Sequence, residues 1–128
     1  MKAFDYYQPT DIHFGVGRIS EIGEIMAKFG KKTMVVVDPV VTQVLGEAFI
    51  KVIESIKKAG VEPVIFDKVV SNPRLSDIHE GAELAQKEDV NSVLGFGGGS
   101  TMDTAKAIAV ESTHEGSAWD YLFFKKEP

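Results

Sequence analysis

The stretch that most constrains this chain is GFGGGSTMDTAKAIA, running from Gly95 to Ala109. A short apolar run, Ser92-Val93-Leu94, precedes it and reads as the end of a buried strand. Gly95, Gly97, Gly98 and Gly99 fall within five positions, and a helical pattern opens at Ser100. Glycine lacks a Cβ, so the backbone can turn tightly and a ligand can approach it closely. The first helical N–H groups have no intrahelical partner, and the helix dipole adds roughly half a positive charge at that end. A strand running through glycines into a helix start is therefore the arrangement that cradles a phosphate. A tight, closely packed turn, helped by the small residues Ala105, Ala107 and Ala109, shares most of this geometry. Ser100 has the chemistry of an N-cap, and Asp103 three residues on can return a hydrogen bond in capping-box fashion. Pointed at pyrophosphate, Asp103 would repel it, so it caps the helix or faces a sugar or amide.

The rest of the chain repeats one unit. Met34-Val35-Val36-Val37 is a β-branched run ending at Asp38-Pro39, a strand followed by a turn. Val44, Leu45, Ala48, Phe49, Val52, Ile53 and Ile56 make a broad helical stripe that Gly60 closes. Pro63-Val64-Ile65-Phe66 reads as a second strand, and Ser76 is expected to cap a helix carrying Ile78, Ala82 and Ala85. Residues 90–96 read as the third strand. Strands recurring roughly every 29 residues match one strand–helix unit. Continuous apolar runs imply strands covered on both faces, and intervening helices imply parallel strands with right-handed crossovers. The fold class is α/β: a doubly wound, mostly parallel, Rossmann-like sheet with a permuted glycine loop. Upstream, Ile19, Ile22, Ile25, Met26 and Phe29 predict a helix, with Gly30 where a left-handed terminator is wanted. The pieces Phe4-Asp5-Tyr6-Tyr7 and Asp11-Ile12-His13-Phe14, split by Pro9, are expected to form a hairpin or an edge strand.

In such sheets ligands bind off the carboxyl ends of the strands. Asp38 ends the first strand of the repeat, where a carboxylate can accept from both ribose hydroxyls of an adenosine and would repel a 2′-phosphate. It is equally a turn residue before Pro39. Ser71-Asn72-Pro73 either presents an amide to the ligand or makes an Asx-type turn. The usual dinucleotide fingerprint follows the first strand, with its acid roughly 20 residues later. Here Asp38 precedes the glycines, and Ser100 stands where the last glycine would be.

Composition closes off several classes. The 128 residues suit one domain, and a net charge of −5 with a pI near 5.2 argues against nucleic acid as a partner. There is no cysteine, and no apolar run approaches the ~20 residues of a membrane span. A cytoplasmic protein is expected. His13, His79 and His114 are scattered at spacings that suggest no metal site, and Ser100 lacks the GxSxG context of a nucleophile. The aromatic cluster at 118–124 reads as packing, and Lys57-Lys58 and Lys125-Lys126 as solvated ends.

The stretches Ile12-His13-Phe14-Gly15-Val16-Gly17, Val35-Val36-Val37-Asp38, Ser71-Asn72-Pro73 and GGGSTMDTAKAIA together resemble the N-terminal half-domain of iron-containing (group III) alcohol dehydrogenases. Ala118-Trp119-Asp120-Tyr121 is similar to the butanol-dehydrogenase-like branch. The resemblance implies an NAD-dependent alcohol–aldehyde oxidoreductase, NADP being disfavoured, with a small alcohol or aldehyde as substrate. It implies that Gly97, Gly98, Gly99 and Ser100 hold the pyrophosphate, that Asp38 selects NAD, and that Asn72 and Asp103 line the cofactor cleft. It further implies a divalent metal, iron or zinc, held by a helical C-terminal domain absent from these residues. Residues 1–128 are then an incomplete cofactor-binding domain, expected to be inactive alone, of an enzyme expected to be a homodimer. No catalytic or metal-binding residue is assigned within the chain. The rival readings are a polyol or glycerol-phosphate dehydrogenase of the same superfamily and a non-catalytic nucleotide-binding module.

Overall fold

The computed structural model describes residues 5–124. Phe4 and the Lys125-Lys126 pair lie outside them. Three strands, β1 (Lys32–Val37), β2 (Glu62–Phe66) and β3 (Ser92–Phe96), form one parallel sheet in the order β2-β1-β3. The register sets Val36 beside Phe66 and Val37 beside Phe96, so all three strands end along one edge. Among the described residues five helices accompany the sheet: α1 (Ile22–Ala27), α2 (Pro39–Val44), α3 (Gly46–Lys58), α4 (Leu75–Lys87) and α5 (Gly99–Thr113). Short 3-10 turns at Arg18–Glu21 and Ala118–Phe124 flank them.

The β-branched run explains why β1 is central. Met34, Val35, Val36 and Val37 are fully buried, and the side chains of the first three alternate between two cores. Met34 and Val36 pack with Phe66, Ile78, Ala85, Ala105 and Ile108 on the α4–α5 side. Val35 packs with Met26, Val52, Ile56 and Val61 on the α1–α3 side. Burying one such side chain contributes about 1.5–3 kcal/mol, so this strand anchors both layers. The expected doubly wound parallel architecture is the one observed. Close approaches fix the helix positions. A Cβ on Gly81 of α4 would come within 2.3 Å of Ile108 Cδ1, and one on Gly23 of α1 within 2.0 Å of the Ser55 carbonyl oxygen of α3.

Several local expectations are corrected. The segment before Gly15 forms no strand among the described residues: Tyr6, Tyr7, Ile12 and Phe14 are largely exposed, and its side-chain bonds are short-range, such as Gln8 Nε2 donating to Thr10 Oγ1 at 3.2 Å. An extended segment becomes a strand only when a neighbouring backbone pairs with it. The first helix is shorter than its apolar pattern, because Arg18–Glu21 winds as a 3-10 turn before α1 begins. Gly30 has φ 143, more open than a left-handed terminator, and is glycine for another reason: a Cβ there would lie 2.4 Å from Asn91. Asn91 Oδ1 in turn accepts from the Lys31 and Lys32 amides at 2.8 and 3.1 Å. The Asp38-Pro39 turn is the start of α2, and the long stripe breaks at Leu45, leaving Val44 and Leu45 exposed. Ser76 is not a cap: Arg74 holds the cap position of α4, and the Ser76 hydroxyl donates to Asp77 Oδ1 at 3.1 Å.

Candidate functional site

Strand β1 connects forward to β2 on one side while β3 returns on the other, so the chain order reverses between β1 and β3. Ligands of open α/β sheets bind in the crevice at such a reversal, off the carboxyl ends. Asp38 leaves β1 there, and Gly97 leaves β3 one residue past the Val37–Phe96 pair. A groove of about 360 Å³ occupies the crevice, lined by Val41 and Leu45 on one side and by residues 95–98 on the other.

The four glycines divide by what surrounds them. A Cβ on Gly95 would stand 3.2 Å from Ala105 Cβ, which is close strand–helix packing. Gly97 has φ 156, and a Cβ there would meet the buried Thr101 Oγ1 at 2.5 Å. Gly98 and Gly99 have nothing within 4 Å of a Cβ, so packing demands glycine at neither. The space that side chains would fill lies open at the start of α5.

That start carries no side-chain cap. Gly98 takes the cap position, its carbonyl accepting from the Met102 amide at 3.0 Å, and the first turn holds no acidic residue. Ser100 is therefore corrected from cap to second helical residue. Its hydroxyl accepts from the Asn72 amide at 3.4 Å, and its carbonyl accepts from Thr104 Oγ1 at 2.8 Å. Asn72, with φ 61, thus ties the β2–α4 loop to the start of α5. Asp103 makes no capping box; it is exposed and pairs with Lys106 at 3.4 Å. The capping reading of Asp103 fails because Gly98, not Ser100, starts the helix, which moves Asp103 into the second turn.

Asp38 is half-buried and caps α2, its Oδ1 accepting from the Val40 amide at 2.8 Å with Pro39 at the first helical position. The structure thus gathers Asp38, Asn72 and the 97–100 loop along one edge of the sheet, with Asp103 one helical turn beyond Gly99.

The first N–H groups of α5, which no side chain caps, the two open glycine positions and the neighbouring carboxylate have the chemistry to hold a dinucleotide: an anion at the helix start, a diol beside Asp38. For a metal the fit fails. Among the described residues no cluster of three or more His, Cys, Asp or Glu could hold an ion.

Two arrangements escaped sequence reasoning. His13 bridges Asp11 at 3.1 Å and Arg18 at 3.0 Å, and Arg18 grips Glu21 at 2.9 and 2.7 Å. The Arg18 hydrogen bond holds the Glu21 carboxyl below its ordinary range. His79 pairs with Glu111 across 32 residues, a contact that no local spacing reveals.

An open parallel sheet with an uncapped, glycine-lined helix start at its reversal point defines a Rossmann-like α/β fold. The family model for iron-containing alcohol dehydrogenases matches residues 9–128, and the chain belongs to that family. It is 48% identical over 123 residues to choline dehydrogenase of Bacillus subtilis (strain 168), covering 94% of this chain and 30% of that protein. It is 32% identical over 128 residues to a probable NADH-dependent butanol dehydrogenase 1 of the same organism, covering 100% of this chain and 33% of the relative. Among solved structures it resembles NADH-dependent butanol dehydrogenase A from Thermotoga maritima, with a TM-score of 0.89 and 40% identity, over 99% of this chain and 32% of that one. The chain thus spans about a third of the length of these relatives.

Proposed function

We propose that these residues form the cofactor-binding portion of an NAD-dependent alcohol–aldehyde oxidoreductase of the iron-containing type. The observation that carries the reading is the open start of α5 at the sheet's reversal point, where Gly98 and Gly99 leave free space and no side chain caps the helix. In this reading the amides of Gly97, Gly98, Gly99 and Ser100 hold the pyrophosphate. Asp38 accepts from the adenosine ribose hydroxyls and disfavours a 2′-phosphate. Asn72 keeps the β2–α4 loop against the helix start, and Asp103 lines the cleft one turn further on. Bound there, NAD supplies the hydride acceptor for alcohol oxidation.

The names of two relatives, choline dehydrogenase and NADH-dependent butanol dehydrogenase, support a small alcohol or aldehyde as the substrate and NADH as the reduced cofactor. The divalent metal, iron or zinc, is assigned to no residue of this chain. Alcohol-dependent NADH formation is accordingly expected to be absent from the 128 residues alone. A homodimer is supported by the exposed apolar side chains of Tyr6, Tyr7, Ile12 and Phe14, which a second copy would cover. A cytoplasmic location agrees with the lack of cysteine; no helix among the described residues is long and apolar enough to cross a membrane.

Calorimetric titration with NADH and NADPH tests the cofactor assignment. NADH is expected to bind more tightly than NADPH, with Asp38→Gly narrowing the difference. Equal affinities unaltered by that substitution would remove Asp38 from the site.

A further inference from the structure

Glu111 is the only ionisable side chain buried among the described residues, with 7% of its surface exposed. Its two oxygens serve different elements. Oε1 meets His79 Nδ1 of α4, and Oε2 accepts from the Ala118 amide, at 2.5 Å, at the start of the aromatic turn. A carboxylate inside a protein is costly unless both charge and hydrogen bonds are matched. A buried pair is also weak evidence of net stabilisation, so what this one specifies is better read from its geometry. It joins α4, α5 and the Ala118–Phe124 turn at one point. The same three elements enclose an apolar cavity of about 560 Å³, whose walls include Leu75, Val110, Trp119 and Tyr121 and which Asp103 also lines.

We propose that Glu111 is a positioning residue that clamps the Ala118–Phe124 turn onto α4 and α5, fixing Trp119 and Tyr121 as the aromatic wall of this cavity. The clamp is local. Removing it frees the turn and leaves the sheet intact, because Ala118 packs into one core only whereas β1 is held from both faces. Losing a charge-assisted bond to the Ala118 amide should speed exchange of that amide on the order of ten- to a hundredfold. The inference does not depend on cofactor binding, so it can fail while that reading stands.

The test is amide hydrogen exchange by NMR on the ligand-free 128-residue chain, with emission from Trp119, its single tryptophan, as a second readout. In Glu111→Leu, Ala118 should exchange faster and Trp119 emission should move to the red, while Val35 and Val36 amides keep their protection. Glu111→Gln, whose side-chain oxygen still accepts from Ala118, should restore most of the Ala118 protection. Unchanged Ala118 exchange in a folded Glu111→Leu protein overturns the proposal, and so does an equal loss of protection at Val35, Val36 and Ala118. If Glu111→Leu does not fold, the half-exposed partner decides: His79→Gln should speed Ala118 exchange selectively, and no selective change overturns the proposal.

Discussion

Two helices start at the same edge of the sheet and solve the same electrostatic problem differently. At α2, Asp38 turns its carboxylate onto the Val40 amide, and Pro39 removes one of the donors that would need a partner. At α5, Gly98 offers no side chain, and the dipole end faces open space. The first start is capped from within the chain; the second has no side-chain cap. In the proposed reading an anion sits at α5, and Asp38, beside it, contributes selection rather than charge neutralisation.

Substituting Gly97 should break the contrast most severely. Gly97→Val drives a Cβ into the buried Thr101 hydroxyl and should cost about 1–3 kcal/mol of stability, read as a lowered midpoint in denaturant. An unchanged midpoint would mean that the loop is not anchored by that contact. Gly98→Asp sharpens the comparison by giving α5 the cap that α2 already has. Its backbone is extended and its surroundings are empty, so stability should rise by only a few tenths of a kcal/mol. NADH affinity should nevertheless fall by roughly tenfold or more, the equivalent of one mispaired charge. Tighter binding in this variant would exclude an anion from the cradle.

At α2 the cap and the charge can be separated. Asp38→Ala should lose about 1 kcal/mol of stability, whereas Asp38→Asn keeps a good cap and should lose almost none. Both should narrow the preference for NADH over NADPH. If Asp38→Asn preserved that preference in full, capping would be the residue's whole role. The smallest effect belongs to a third helix start. Glu21 stands at the cap position of α1, and its carboxylate is occupied by Arg18. Because its folded pKa is lowered chiefly by the Arg18 hydrogen bond, the pair's contribution is present above the ordinary glutamate range. It fades as pH falls through the depressed folded value. The pair is exposed, so the contribution should be small and should shrink further in high salt, as a pH titration of Arg18→Gln against the parent chain can show.

The two starts also mark how far the sequence could be read. Continuous β-branched runs such as residues 34–37 have few alternatives to a buried strand, and the glycine loop has few to a strand–helix junction. The starting residue of a helix is less determined. Ser76 and Ser100 have the chemistry of caps, yet each lies at the second helical position, because Arg74 and Gly98 begin their helices without any side-chain cap. Helix α2 was hidden behind the turn signal of Asp38-Pro39, which is also a sound helix opening. The His79–Glu111 clamp joins residues that only the packing of α4 on α5 brings together. The segment before Gly15 has strand-like composition, but among the described residues no backbone pairs with it.

The most direct test is a calorimetric titration of the 128-residue chain with NADH, run beside Gly98→Asp. The account predicts measurable binding to the parent chain and a loss of tenfold or more in a variant that unfolds no more easily. Equal affinity in the two proteins would contradict it, since the open start of α5 would then hold no part of the cofactor.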